Sequence, residues 1–186
     1  MIVGGSQMVK NFVHTYSGVF MAVKNEISFT VPGEPVGKGR PRLSSRNGFA
    51  HAYTPAGTRK YEAMVRKLAG EEMERQGLAV TELPVYVSIA ARYAIPKRHL
   101  ASDGSLRSHK AGTKLAGELD AMLNGDIMPG KPDLDNVVKA VLDALNGTVF
   151  TDDSQVVSLV AGKDWQNAEE GYGPGVDVAV WWYADA

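Results

Sequence analysis

The chain has 186 residues, 44% hydrophobic and 22% charged, with a net charge of −1 and no cysteine. This is the size and balance of one globular domain with a working core. It excludes disulfide frameworks, thiolate metal sites and cysteine nucleophiles, and fits a reducing cytoplasm. No apolar run approaches the ~18 residues that cross a bilayer, and no basic start leads into the apolar core of a signal peptide, so no membrane association is expected.

Residues 1–26 show no sustained periodicity and read as a mobile extension, leaving 27–186 as the domain. ISFTV, 27–31, alternates as a strand does and ends at Pro32-Gly33. GEPVGKGRPR, 33–42, holds too much Gly and Pro for a regular element and is expected to be a basic loop whose glycines either let its backbone approach a partner closely or leave it plainly flexible. Thr54 as N-cap and Pro55 in the first turn open a helix that runs through Tyr61, Met64, Val65 and Leu68 to Gln76-Gly77.

Val85 to Ile95 alternates as a second strand, ended by Pro96. Residues 97–130 form a long polar connection with a short helix over Lys114–Leu123. A further helix starts near Asp135, with Asp135 or Asn136 as its cap. It buries Val138, Val141, Leu142 and Leu145 and ends at Asn146-Gly147. Val156–Val160 and Val176–Tyr183 complete the set as strands. Strand, helix, strand, helix, strand, strand predicts an α/β (α+β) single domain with one mixed sheet flanked by helices.

Charge is unevenly spread. Lys38, Arg40, Arg42, Arg46, Arg59, Lys60, Arg66 and Lys67 face one acid, Glu62, between positions 37 and 67. From 118 to 153 eight acids outnumber Lys131 and Lys139. Such a division suits a polyanion on one segment and a cation on the other, or two solvated faces.

The acidic segment is sharper than its charge count. KPDLDNVVK, 131–139, sets Asp133 just ahead of a helix whose polar stripe carries Asp135, Lys139 and Asp143, and Asp152-Asp153 follows before the next strand. Carboxylates crowded this way repel one another unless a cation compensates. Oxygen-only donors select a hard ion, and Mg²⁺ suits two or three carboxylates with water and phosphate completing its shell. An EF-hand is excluded, since the Gly and Glu of that loop are missing. The spacing equally allows Asp135 to cap the helix and pair with Lys139 while Asp152-Asp153 makes a turn. His14, His51, His99 and His109 have no metal-ligand spacing and read as surface residues or contacts to a bound partner. No nucleophile elbow supports a serine hydrolase. Trp181, Trp182 and Tyr183 read as core or interface.

KPDLDNVVKAVLDALNG followed by DDSQV resembles the signature of the RusA-type Holliday junction resolvases, a family common in phages and prophages. VPGEPVGKGRPR and YTPAGTRKYE resemble the same family's N-terminal part. The resemblance implies a homodimeric, phage-type endonuclease of recombination and repair, dependent on Mg²⁺ or Mn²⁺, that cuts four-way DNA junctions symmetrically and leaves 5′-phosphate and 3′-hydroxyl ends. It implies that Asp133, Asp135 and Asp153 hold the metal and that Lys139 is the functional lysine; Asp152 matches the first of the acidic pair, its role left open. Lys38, Arg40, Arg42, Arg46, Arg59 and Lys60 are then expected to meet DNA phosphates. A nuclease for other branched DNA, and a junction-binding protein without catalysis, are the rival expectations.

Overall fold

The computed structural model describes residues 25–40, 42–46, 49–166 and 173–184, so residues 1–24 of the expected extension lie outside it. Asn25 and Glu26, assigned from sequence to that extension, instead open strand β1, Asn25–Pro32. A two-stranded hairpin that the sequence did not suggest follows, β2 (Arg42–Arg46) and β3 (Phe49–Tyr53). Then come helix α1 (Ala56–Gln76), strand β4 (Val85–Tyr93), helix α2 (Lys114–Leu123), helix α3 (Leu134–Leu145), and strands β5 (Val156–Trp165) and β6 (Gly175–Trp182).

Four strands make one mixed sheet in the order β1-β6-β4-β5. β6 runs antiparallel to both of its neighbours, and β4 lies parallel to the edge strand β5. The parallel pair requires a crossover, which the connection, α2 and α3 supply. Register lines up the apolar rows. Val180 stands between Ile27 and Val87, and Val176 between Val31 and Ala91, and all are fully or almost fully buried. That face packs against Tyr61, Val65, Ala69 and Met73 of α1 and against Val137, Val138, Val141 and Leu145 of α3 in one core. The expected mixed sheet flanked by helices is therefore the observed fold.

Two helix starts differ from expectation. Pro55, not Thr54, is the N-cap of α1, with its carbonyl accepting from Arg59 N at 3.1 Å and no side-chain cap. Asp133, not Asp135 or Asn136, is the N-cap of α3. The chain leaving Pro132 is still extended at Asp133 (φ −67°, ψ 145°), whose carbonyl accepts from Asn136 N and Val137 N. Gly77 ends α1 in the left-handed region (φ +66°), where a side chain would be strained. Trp182 belongs to the core, whereas Trp181 is half-buried and stacks on its cross-strand partner Tyr86, ring centroids 5.7 Å apart.

The connection is more ordered than its composition suggests. Arg98 pairs with Glu118 of α2, and Leu100 bridges Leu106. His99 is 0% exposed, which corrects its expected surface position. Its Nδ1 lies 3.0 Å from His109 Nε2, one nitrogen donating to the other, and its Nε2 faces Glu118 Oε2 at 3.6 Å.

Candidate active site

Helix α3 is delivered by the carboxyl ends of the parallel strands. Tyr93 Oη, at the end of β4, donates to Pro132 O at 3.0 Å. From β5, Lys163 Nζ donates to Gly130 O at 2.9 Å and Trp165 Nε1 to Ile127 O at 2.7 Å. These three bonds fix the stretch that leads into Asp133 and Asp135. The carboxylate of Asp133 makes no capping bond and is exposed, although its residue occupies the N-cap. Its charge and that of Glu34 reach the Tyr93 hydroxyl, whose pKa is raised first by burial and then by these two acids. Glu34 was missed from sequence; it stands alone in VPGEPVG, with no partner in spacing to mark it.

Between α3 and the edge strand β5 runs a groove of about 370 Å³. Leu134, Val138, Leu142, Leu159 and Ala161 form its apolar wall, and Asp135, Lys139 and Asp153 bring charge to it. Asp135 and Lys139 share one helix face because they are four residues apart. Asp153 comes from the turn ahead of β5. The structure thus brings three of the four expected catalytic residues to one groove, with Asp133 at the adjoining helix start. The ion pair that the spacing also allowed, Asp135 with Lys139, is not formed among the described residues.

Within the second acidic pair the two carboxylates have different roles. Asp152 caps a single 3₁₀ turn, Asp153–Gln155: its Oδ1 accepts from Ser154 N at 2.9 Å, and bonding to Ser154 holds its pKa below the usual carboxylate value. Asp153 makes no such bond and faces the groove.

The basic segment joins this site through its backbone. Lys38 N donates to Asn136 O at 2.7 Å and Gly39 N to Thr58 Oγ1 at 3.2 Å. A Cβ on Gly37 would stand 2.8 Å from Pro132 Cβ, and one on Gly39 2.9 Å from Pro55 Cγ. The close approach these glycines allow is therefore to the protein's own helices.

Lys38 is half-buried, and its Nζ lies 2.6 Å from both Glu62 Oε1 and Asp143 Oδ2, tying loop, α1 and α3 together. Burial alone would lower its pKa; the bonds and charges of Asp143 and Glu62 outweigh that and hold it above 10.5. Arg40, Arg59 and Lys60 are exposed, while Arg42 and Arg46 lie on β2.

Among the described residues no three His, Cys, Asp or Glu side chains gather closely enough to hold one ion. The donors at the groove are nonetheless all carboxylate oxygens. Mg²⁺ commonly takes only one or two protein carboxylates, leaving the rest of its shell to water and phosphate. Asp135 and Asp153 fit that demand, with Asp133 two residues from Asp135.

Carboxylates and a lysine along a helix, beside the parallel edge of a mixed sheet, are the donor types that metal-assisted hydrolysis uses. The chain matches the family described as Endodeoxyribonuclease RusA over residues 32–180, and it belongs to that family. It is similar to the uncharacterized protein YqaN of Bacillus subtilis (strain 168), with 37% identity over 137 residues, 74% of this chain and 86% of that protein. Among the described residues no helix is long and apolar enough to cross a membrane.

Proposed function

We propose that the chain is a Mg²⁺-dependent endonuclease that resolves four-way DNA junctions, acting as a homodimer in recombination or repair. The observation that carries this reading is the meeting of Asp135, Lys139 and Asp153 at one groove, from two segments of a RusA-family chain. Asp135 and Asp153 are the proposed ligands of Mg²⁺, for which Mn²⁺ could substitute, and Asp133, at the adjoining helix start, would join them only if the side chains close on the ion. A bound divalent cation supplies Lewis acidity toward the scissile phosphate and an attacking water acidic enough to react at neutral pH.

The chain's own groups do the rest. The carboxylates orient the site, and Lys139 Nζ, one turn from Asp135, offsets negative charge developing on the phosphate. Arg40, Arg59 and Lys60, together with Arg42 and Arg46 on the hairpin, meet phosphates of the flanking arms. Such contacts give affinity and salt dependence with little reading of sequence. Lys38 would have to leave Glu62 and Asp143 to do the same, so its larger part is to hold the arm in place. A four-way junction has two-fold symmetry, and a C₂ dimer presents two sites related by the same operation.

The test is incubation of purified protein with a synthetic mobile four-way junction and with linear duplex of the same sequence, each with and without Mg²⁺. Paired nicks in the junction that require Mg²⁺ are expected. Equal cutting of the linear duplex would overturn the junction reading.

A further inference from the structure

The pair Asp152-Asp153 is followed by a glutamine that the proposed chemistry does not use. Gln155 is half-buried, and its amide is engaged at both ends. Nε2 donates to Thr81 O at 3.0 Å and to Leu83 O at 2.9 Å, while Oε1 accepts from Asp152 N at 2.9 Å. These bonds also fix the orientation of the amide, since the reverse would set its oxygen against two carbonyls.

The 81–83 stretch it grips is itself held. Thr81 is buried, its N–H donates to Val149 O at 2.9 Å, its carbonyl accepts from Thr151 N at 3.2 Å, and Thr81 bridges Phe150. Two residues further on, β4 enters the sheet at Val85. With Asp152 Oδ1 accepting from Ser154 N, the turn is closed by a reciprocal capping box and tied by its fourth residue to the segment leading into the central strand.

We infer that Gln155 and Asp152 are positioning residues that hold the Asp153 carboxylate at the groove, and that Asp152 is not a metal ligand. The inference rests on the metal-dependent reading above. Asp153 sits inside the turn, makes no side-chain bond of its own among the described residues, and faces the groove with Asp135 and Lys139. Its place is therefore set by its neighbours. Residues that orient a ligand in this way typically change metal affinity by about ten- to a hundredfold when removed.

The experiment compares four variants of the full chain with the wild type: Asp152→Asn, Asp152→Ala, Gln155→Met and Asp153→Asn. Three quantities are read: Mn²⁺ binding by electron paramagnetic resonance without DNA, the Mg²⁺ dependence of junction cleavage, and the melting temperature. Asn retains the capping acceptor, so Asp152→Asn is expected to bind Mn²⁺ and cleave like the wild type. Asp152→Ala and Gln155→Met are expected to weaken Mn²⁺ binding by about tenfold or more and to raise the Mg²⁺ requirement alike, with kcat restored at high Mg²⁺. Asp153→Asn is expected to lose both binding and cleavage.

An Asp152→Asn variant as defective as Asp153→Asn would make Asp152 a ligand and overturn the inference. So would Asp152→Ala and Gln155→Met variants that melt earlier but, while folded, bind Mn²⁺ as the wild type does. A wild type that binds Mn²⁺ but cuts no junction would refute the proposed substrate, and the binding comparison would still decide the role of the turn.

Discussion

In the connection ahead of α2, Arg98 is paired with Glu118, His99 faces His109, and Asp103 accepts from Ser105 Oγ and N. Along α3 and at the turn before β5, Asp135, Lys139 and Asp153 form no ion pair among the described residues, although they border one groove. Both regions are polar, yet the first pairs Arg98, Glu118 and Asp103 internally and the second leaves its charges facing outward. Charges paired within the chain stabilise the fold; charges kept apart beside an apolar wall are available to a ligand. Lys38 marks the boundary, a member of the basic arm that is already spoken for by Glu62 and Asp143.

The contrast breaks if removing an outward-facing charge unfolds the protein. Asp135→Asn and Asp153→Asn are each expected to reduce junction cleavage by on the order of 10²–10³-fold, the range for losing one preorganised electrostatic group. Stability is expected to stay within about 0.5 kcal/mol of the parent. Rate assays paired with denaturant melts read both.

Lys38→Met should behave in the opposite way. It leaves Glu62 and Asp143 facing each other without a cation, at a cost of about 1–3 kcal/mol once partial exposure is allowed for. Because the folded pKa of Lys38 is raised, its stabilising contribution is complete below pH 10.5 and is lost as pH rises through the folded value. Wild-type and variant melts should therefore converge in strongly alkaline buffer.

The sheet and helices were legible because alternation and helical spacing come from nearest neighbours in the chain. The apolar rows of β1, β4 and β6 and the closing glycines Gly77 and Gly147 needed no tertiary information. The order β1-β6-β4-β5 was not legible, since placing the last strand between the first and the fourth depends on pairings across the whole chain. The acid-bearing helix was visible in KPDLDNVVK, but its true cap was not: extended backbone after Pro132 moved the helix start upstream of Asp135. Nothing in the spacing separated Asp152 from Asp153, because the partner that distinguishes them, Gln155, acts through carbonyls at 81 and 83. Lys38 read as a DNA contact for the same reason, its acids lying on α1 and α3.

The paired region can be sharpened by acid. Burial, opposed by Glu118 and reinforced by Arg98 and His109, keeps the pKa of His99 below 6.5. The fold favours the neutral ring, so this stability is present above pH 6.5 and is lost as pH falls through the depressed folded value. The loss is at most about 1.4 kcal/mol per pH unit. Thermal melts of the wild type should fall between about pH 7 and pH 5, and His99→Gln should flatten that slope.

The smallest effect belongs to the arm. Arg40→Ala combined with Arg42→Ala should weaken junction binding and reduce the salt slope by about 1 for each phosphate no longer engaged. An unchanged slope in binding titrations would remove these residues from the DNA surface.

The missing side chain at Gly37 carries a mechanical consequence. With Pro132 and Asn136 where a Cβ would be, and Lys38 N bonded to Asn136 O, the arm and the helix start have no slack between them. A load on Arg40 would pass along the chain to Lys38 and, through the bond from Lys38 N to Asn136 O, to the helix start that bears Asp133 and Asp135. Under the proposed function the arm's hold on DNA and the acidic helix start would move as one body, and a side chain at position 37 would force Pro132 and Asn136 to shift.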